Sequence, residues 1–209
     1  DGVPMTWLGF QRNNDPQAIG GVGIYYLTNA PAGSKTVAVT ASNTYLAGNT
    51  FSYTGVEWFS LHAATSGSST APSLSVVGTP YRGLLLTTLG SYRYSPNSGA
   101  GGTSRYFSGD SNGYANLSVM ESLNKATFSG TMGTTNAWSA VALKLAAVAP
   151  TEIGYTATGD GTSASTARSN MTWSHNALGG DTVLVWIETN TTEYVTAGTY
   201  DGVAMLDCG

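Results

Sequence analysis

Thr182-Val183-Leu184-Val185-Trp186-Ile187-Glu188 is the stretch on which the fold turns. Extended as a strand, it puts apolar side chains on both faces, which marks a strand covered from both sides. Gly83-Leu84-Leu85-Leu86-Thr87-Thr88-Leu89 carries the same signature and is also placed centrally. Neither run is read as a helix. Each is short and bounded by Gly or Asn, and nowhere does the chain sustain the i, i+3, i+4, i+7 apolar stripe of a capped helix.

Outward from these runs, β-branched and aromatic clusters recur between Gly, Pro, Ser and Asn. They include Val22-Gly23-Ile24-Tyr25-Tyr26-Leu27, Thr36-Val37-Ala38-Val39-Thr40, residues 114–123, residues 138–145, Ile153-Gly154-Tyr155-Thr156-Ala157 and Met171-Thr172-Trp173-Ser174-His175. Links such as Asn29-Ala30-Pro31-Ala32-Gly33-Ser34 are short enough for antiparallel neighbours. The expectation is an all-β, antiparallel β-sandwich. Residues 63–73, nearly all Ala, Ser, Thr and Gly, are read as an exposed connection, and residues 95–104 as the least structured stretch. Pro150, after Ala146-Ala147-Val148-Ala149, marks a boundary. It divides a module at residues 1–147 from a segment at residues 152–209 that is too short to bury a core alone.

The two ends repeat one phrase. Asp1-Gly2-Val3-Pro4-Met5 returns 200 positions later as Asp201-Gly202-Val203-Ala204-Met205. A repeating unit cut in its middle produces this pattern, with residues 152–209 opening one repeat and residues 1–147 closing another. The short segment is then expected to complete a sandwich in cis, or in a neighbouring copy by strand addition. Val3, Met5, Trp7, Val203 and Met205, at the seam, are the expected contacts between copies along an unpaired strand edge.

Charged residues are 10% of the chain, with 8 Lys plus Arg against 12 Asp plus Glu and a net charge of −4. Basic residues this sparse give no footprint for a phosphate backbone or an anionic membrane, so nucleic acid and membrane insertion are not expected. The surface is expected to be neutral and hydroxyl-rich, while 41% apolar residues with 12 Tyr and 5 Trp suffice for packed sheets. Cys208 stands alone, so no internal disulfide staples the chain, and it is read as a small apolar residue at a strand end.

Taken in order, Met171 to His175, Asp181 to Ile187 and Tyr200 to Met205, and separately Asp1 to Thr6, Tyr25-Tyr26-Leu27, Pro31-Ala32-Gly33, Thr36 to Thr40, Tyr53-Thr54-Gly55-Val56 and Trp138 to Lys144, make up a set of phrases. The set resembles a β-sandwich repeat of large bacterial surface proteins and of phage tail or other virion proteins. The resemblance implies a jelly-roll-like sandwich in which the Thr-Trp-Ser-His half comes first. Here the halves stand in the permuted order. The resemblance implies a structural role and brings no functional residues with it.

Candidate chemistry is thin. His62 and His175 lie 113 positions apart without metal-ligand spacing. Both are read as structural or surface residues, and no catalytic, metal or cofactor site is expected. Glu57, Glu121 and Glu188 sit inside apolar strands and would serve a glycosidase only as a facing pair. Each is read as solvent-facing. Asp110-Ser111-Asn112-Gly113 is read as a turn in preference to a calcium loop. Asn116, Asn170 and Asn190 open N-glycosylation triplets of the kind that arise by chance in a Ser/Thr/Asn-rich chain. The aromatic residues carry the alternative. Tyr92, Arg93, Tyr94, Arg105 and Tyr106 flank a Gly-rich stretch and are candidates for a platform that stacks the sugar rings of a surface polysaccharide. The expected function is a non-enzymatic structural module of an extracellular or virion surface assembly, partnered by copies of itself. The alternative is a glycan-binding adhesin or lectin-like module.

Overall fold

A computed structural model describes residues 5–14, 20–76, 83–92, 98–109, 114–123, 127–147, 153–158, 162–163, 167–177, 181–189, 195–201 and 203–204. Every regular element among them is a strand, and every strand pairing is antiparallel. The chain is an all-β sandwich of open sheets, built in four layers.

Outer sheet 1 has the order β15 (Arg168–Ala177), β3 (Gly33–Thr44), β17 (Val195–Tyr200), β18 (Val203–Ala204). Inner sheet 1 follows, with β1 (Thr6–Arg12), β2 (Gly21–Ala30), β16 (Asp181–Thr189), β4 (Leu46–Thr54) and β13 (Gly154–Thr158), and with β14 (Thr162–Ser163) also paired to β4. Inner sheet 2 is β5 (Val56–Ser69), β12 (Asn136–Ala147), β7 (Gly83–Tyr92), β10 (Ala115–Ser122), β9 (Thr103–Gly109). Outer sheet 2 is the small set β6 (Ser73–Ser75), β11 (Thr127–Thr131), β8 (Ser98–Ala100).

Three apolar layers hold the stack. Between outer sheet 1 and inner sheet 1 lie Val37, Val39, Met171, Trp173, Val183, Val185 and Ile187. Between the inner sheets lie Val22, Ile24, Phe51, Leu84, Leu86, Leu117, Val141, Leu184 and Trp186. Leu85, Leu89, Met120, Trp138, Phe128 and Leu74 close the third layer, under outer sheet 2. The apolar runs on β7 and β16 are explained by this order, since both inner sheets are covered on both faces. β16 occupies the middle of inner sheet 1, between β2 and β4, while β15 and β17 flank β3.

Three indoles lie over glycines where no side chain would fit. A Cβ at Gly23 would come within 2.8 Å of Trp7, one at Gly48 within 2.7 Å of Trp173, and one at Gly67 within 2.5 Å of Trp138. Flat rings covering bare backbone restore the packing that a strand glycine gives up. The Gly67 case corrects one expectation. Residues 63–69 belong to β5 and pair with β12, where they were expected to form an exposed connection. Small residues without strand preference of their own adopt the pleat because β12 supplies the ladder and Trp138 the cover.

Candidate functional site

Among the described residues a glutamate and a histidine are sealed inside the stack. Alternation along β16 sends Leu184 and Trp186 toward inner sheet 2, and Glu188 shares their parity. Glu188 is 0% exposed, which overturns the expectation of a solvent-facing carboxylate. Asn13 Nδ2 donates to its Oε1 at 3.1 Å, and Asn13 is itself held by its backbone N–H on the Gly20 carbonyl at 3.0 Å. Glu188 Oε2 and Asn13 Oδ1 have no hydrogen-bond partner. The opposite wall is Gly90 of β7, where a Cβ would collide with Oε2 and would also lie 2.5 Å from Val22 Cγ2. Burial pushes the Glu188 carboxyl well above the usual range, and the Asn13 bond offsets this only in part.

His175 lies in the first apolar layer at 1% exposure, with Nε2 2.5 Å from the Ser52 hydroxyl and Nδ1 without a partner. Burial lowers its pKa from 6.5 to about 4, so the imidazole is neutral near physiological pH. Close by in sequence and register, Trp173 Nε1 donates to Thr50 Oγ1 at 2.8 Å. Thr50→Val keeps the shape and removes the acceptor, leaving a buried indole N–H unpaired. It is expected to cost about 1–3 kcal/mol in urea denaturation.

A third polar cluster ties the two inner sheets together. Tyr53 of β4 donates its hydroxyl to Glu121 Oε2 at 3.1 Å, and Arg105 grips the same carboxylate through Nε at 2.8 Å and Nη2 at 2.6 Å. The Arg105 and Glu121 side chains are 27% and 13% exposed, so Glu121 is also largely withdrawn from solvent. Glu57, by contrast, is exposed as expected. The register of β9 on β10 shifts between Val119 and Met120, which leaves Arg105 as a bulge residue. A bulge lets neighbouring side chains face the same way, and Tyr106 accordingly packs against the middle apolar layer beside the ion pair. A bidentate, half-buried pair lies between the exposed and fully buried cases. Arg105→Met is therefore expected to cost about 1–3 kcal/mol, a loss that shrinks in a Glu121→Leu background when both are measured by denaturation.

The other residues singled out above are scattered. Of the aromatic platform, Tyr92 ends β7, separated from β9 by β10, and Arg93 and Tyr94 lie outside the described residues. Of the seam residues, Met5 is fully buried in the first apolar layer, and Trp7 packs half-buried against it, 4.7 Å from the Tyr25 ring. Val203 pairs with Tyr200 on β18, and Val3 and Met205 lie outside the described residues. β1 and β18 are edge strands of their sheets. Asn116 is buried, whereas Asn170 is exposed and accepts a bond from Thr40. Asn190, Cys208 and residues 110–113 lie outside the described residues. Among the described residues no three His, Cys, Asp or Glu side chains gather into one group.

No protein-family model matches the chain, and no curated protein matches it in sequence. The resemblance to surface and virion repeats rests on the strand and turn phrases alone.

Proposed function

We propose that this chain is a non-enzymatic structural module of an extracellular or virion surface assembly, and that its work is to associate with copies of itself through sheet edges. The observation that carries this reading is the exposure pattern of inner sheet 2. Three of the large exposed apolar side chains lie on its two outermost strands, Trp58 (46%) and Leu61 (43%) on β5 and Phe107 (46%) on β9. Apolar groups beside an unpaired strand are costly for a solitary molecule and favourable in an assembly. The groups suited to chemistry support the same reading, since His175 and Glu188 are enclosed and Arg105 is engaged with Glu121. The glycan reading has less to stand on, because Arg105 and Tyr106 face the space between the inner sheets. Sedimentation velocity is the test. Association is expected with a dissociation constant on the order of micromolar or tighter, and a monomer up to roughly millimolar protein removes the reading.

A further inference from the structure

β5 is 14 residues long, and its only strand partner among the described residues is β12. Its two halves differ as edges. In the first half the register with β12 slips between Val56 and Trp58 and again between Leu61 and Ala63, so Glu57 and His62 stand as bulges. Bulges and ionisable side chains are the ordinary means of keeping a further strand away. The second half, Ala63-Ala64-Thr65-Ser66-Gly67-Ser68-Ser69, pairs with β12 without a slip. It has no charge, no proline and no side chain larger than Thr. From behind, Trp138 covers Gly67 and donates its Nε1 to Ser69 Oγ at 3.1 Å, which holds the strand in place.

We infer that residues 63–69 of β5 pair antiparallel with the same residues of a second copy across a two-fold axis at Ser66, joining two five-stranded inner sheets into one. The inference rests on the self-association reading above and assigns strand pairing to a segment beside Trp58 and Leu61, separate from the exposed apolar groups that carry that reading. A second copy fits because the segment is complementary to itself. Ser66 meets Ser66, Thr65 meets Gly67, Ala64 meets Ser68 and Ala63 meets Ser69, with no charge to repel and no bulk to clash. A two-fold contact of this kind closes on itself. The paired segment is roughly 23 Å long at about 3.3 Å per residue, and two sheets about 10 Å apart make the side roughly 20 Å deep. That is about 460 Å² per partner, the size of a weak, reversible interface. β1 lies alongside, with Leu61 3.5 Å from where a Gly9 Cβ would be, so both inner sheets contribute to the flank.

The register provides the test. Ala64 and Ser68 are both exposed, and each faces the other across the axis. Ala64→Lys/Ser68→Lys sets like charges opposite each other twice, whereas Ala64→Lys/Ser68→Glu sets opposite charges there. With thermal unfolding unchanged in both, the first variant is expected to weaken self-association by about tenfold or more and the second to retain it. If the wild type associates and the double-lysine variant associates equally, the β5 surface is wrong while self-association stands. If the wild type does not associate, both fall.

Discussion

Trp186→Ala is expected to cost about 3–5 kcal/mol, enough to unfold a chain of ordinary stability. Among the described residues Trp186 is the largest fully buried side chain, at 0% exposure in the layer between the inner sheets. Its strand has a neighbour on each side and a sheet over each face, so little can relax into the space. Trp186→Phe is expected to lose much less, because it keeps most of the ring and removes an indole N–H that has no hydrogen-bond partner. Circular dichroism during urea titration distinguishes the two. If the alanine variant were as stable as the phenylalanine variant, the four-layer stack would be wrong.

The second large effect is on pH dependence, where the two sealed groups act with opposite sign. His175 titrates at about 4 when folded, against 6.5 when free. Between those values the unfolded chain binds a proton that the folded chain refuses. Stability therefore falls as pH drops from 6.5 toward 4, by up to about 3 kcal/mol at 1.36 kcal/mol per unit. Glu188 is raised above its ordinary 4.5, so the folded chain holds a proton that the unfolded chain releases, and stability falls as pH rises from there. The slopes oppose each other from 4.5 upward, and the His175 slope ends at 6.5. His175→Gln is expected to flatten the acid limb. Glu188→Gln is expected to flatten the upper limb and to stabilise the protein at mildly alkaline pH. Should the glutamine variant instead be less stable there, the carboxyl would be ionised and partnered. Gly90→Ala costs about 1–3 kcal/mol even in that background, because Val22 still stands 2.5 Å from the new Cβ.

Much of the fold was legible in local pattern. Apolar residues on both faces of β7 and β16 marked central strands, and the missing helical stripe excluded helices. The number of layers was not legible, because a strand covered on both faces looks the same in a stack of three sheets or four. Residues 63–69 carry no strand preference and become a strand only through β12, which a local reading does not see. Glu188 was misplaced on residue type alone, although its parity with Leu184 and Trp186 pointed inward. The Arg105 bulge arises from register with β10 and leaves no trace in the local sequence.

Placing β16 between β2 and β4 has a kinetic consequence. Strands separated by some 150 residues must meet before inner sheet 1 is continuous, so the contact order is high and folding is expected to be slow. During synthesis β2 and β4 emerge long before their common partner, each with an open ladder of amides and carbonyls. Residues 181–189 act as the keystone of the sheet, and until they arrive the nascent chain is at its most vulnerable to wrong pairing.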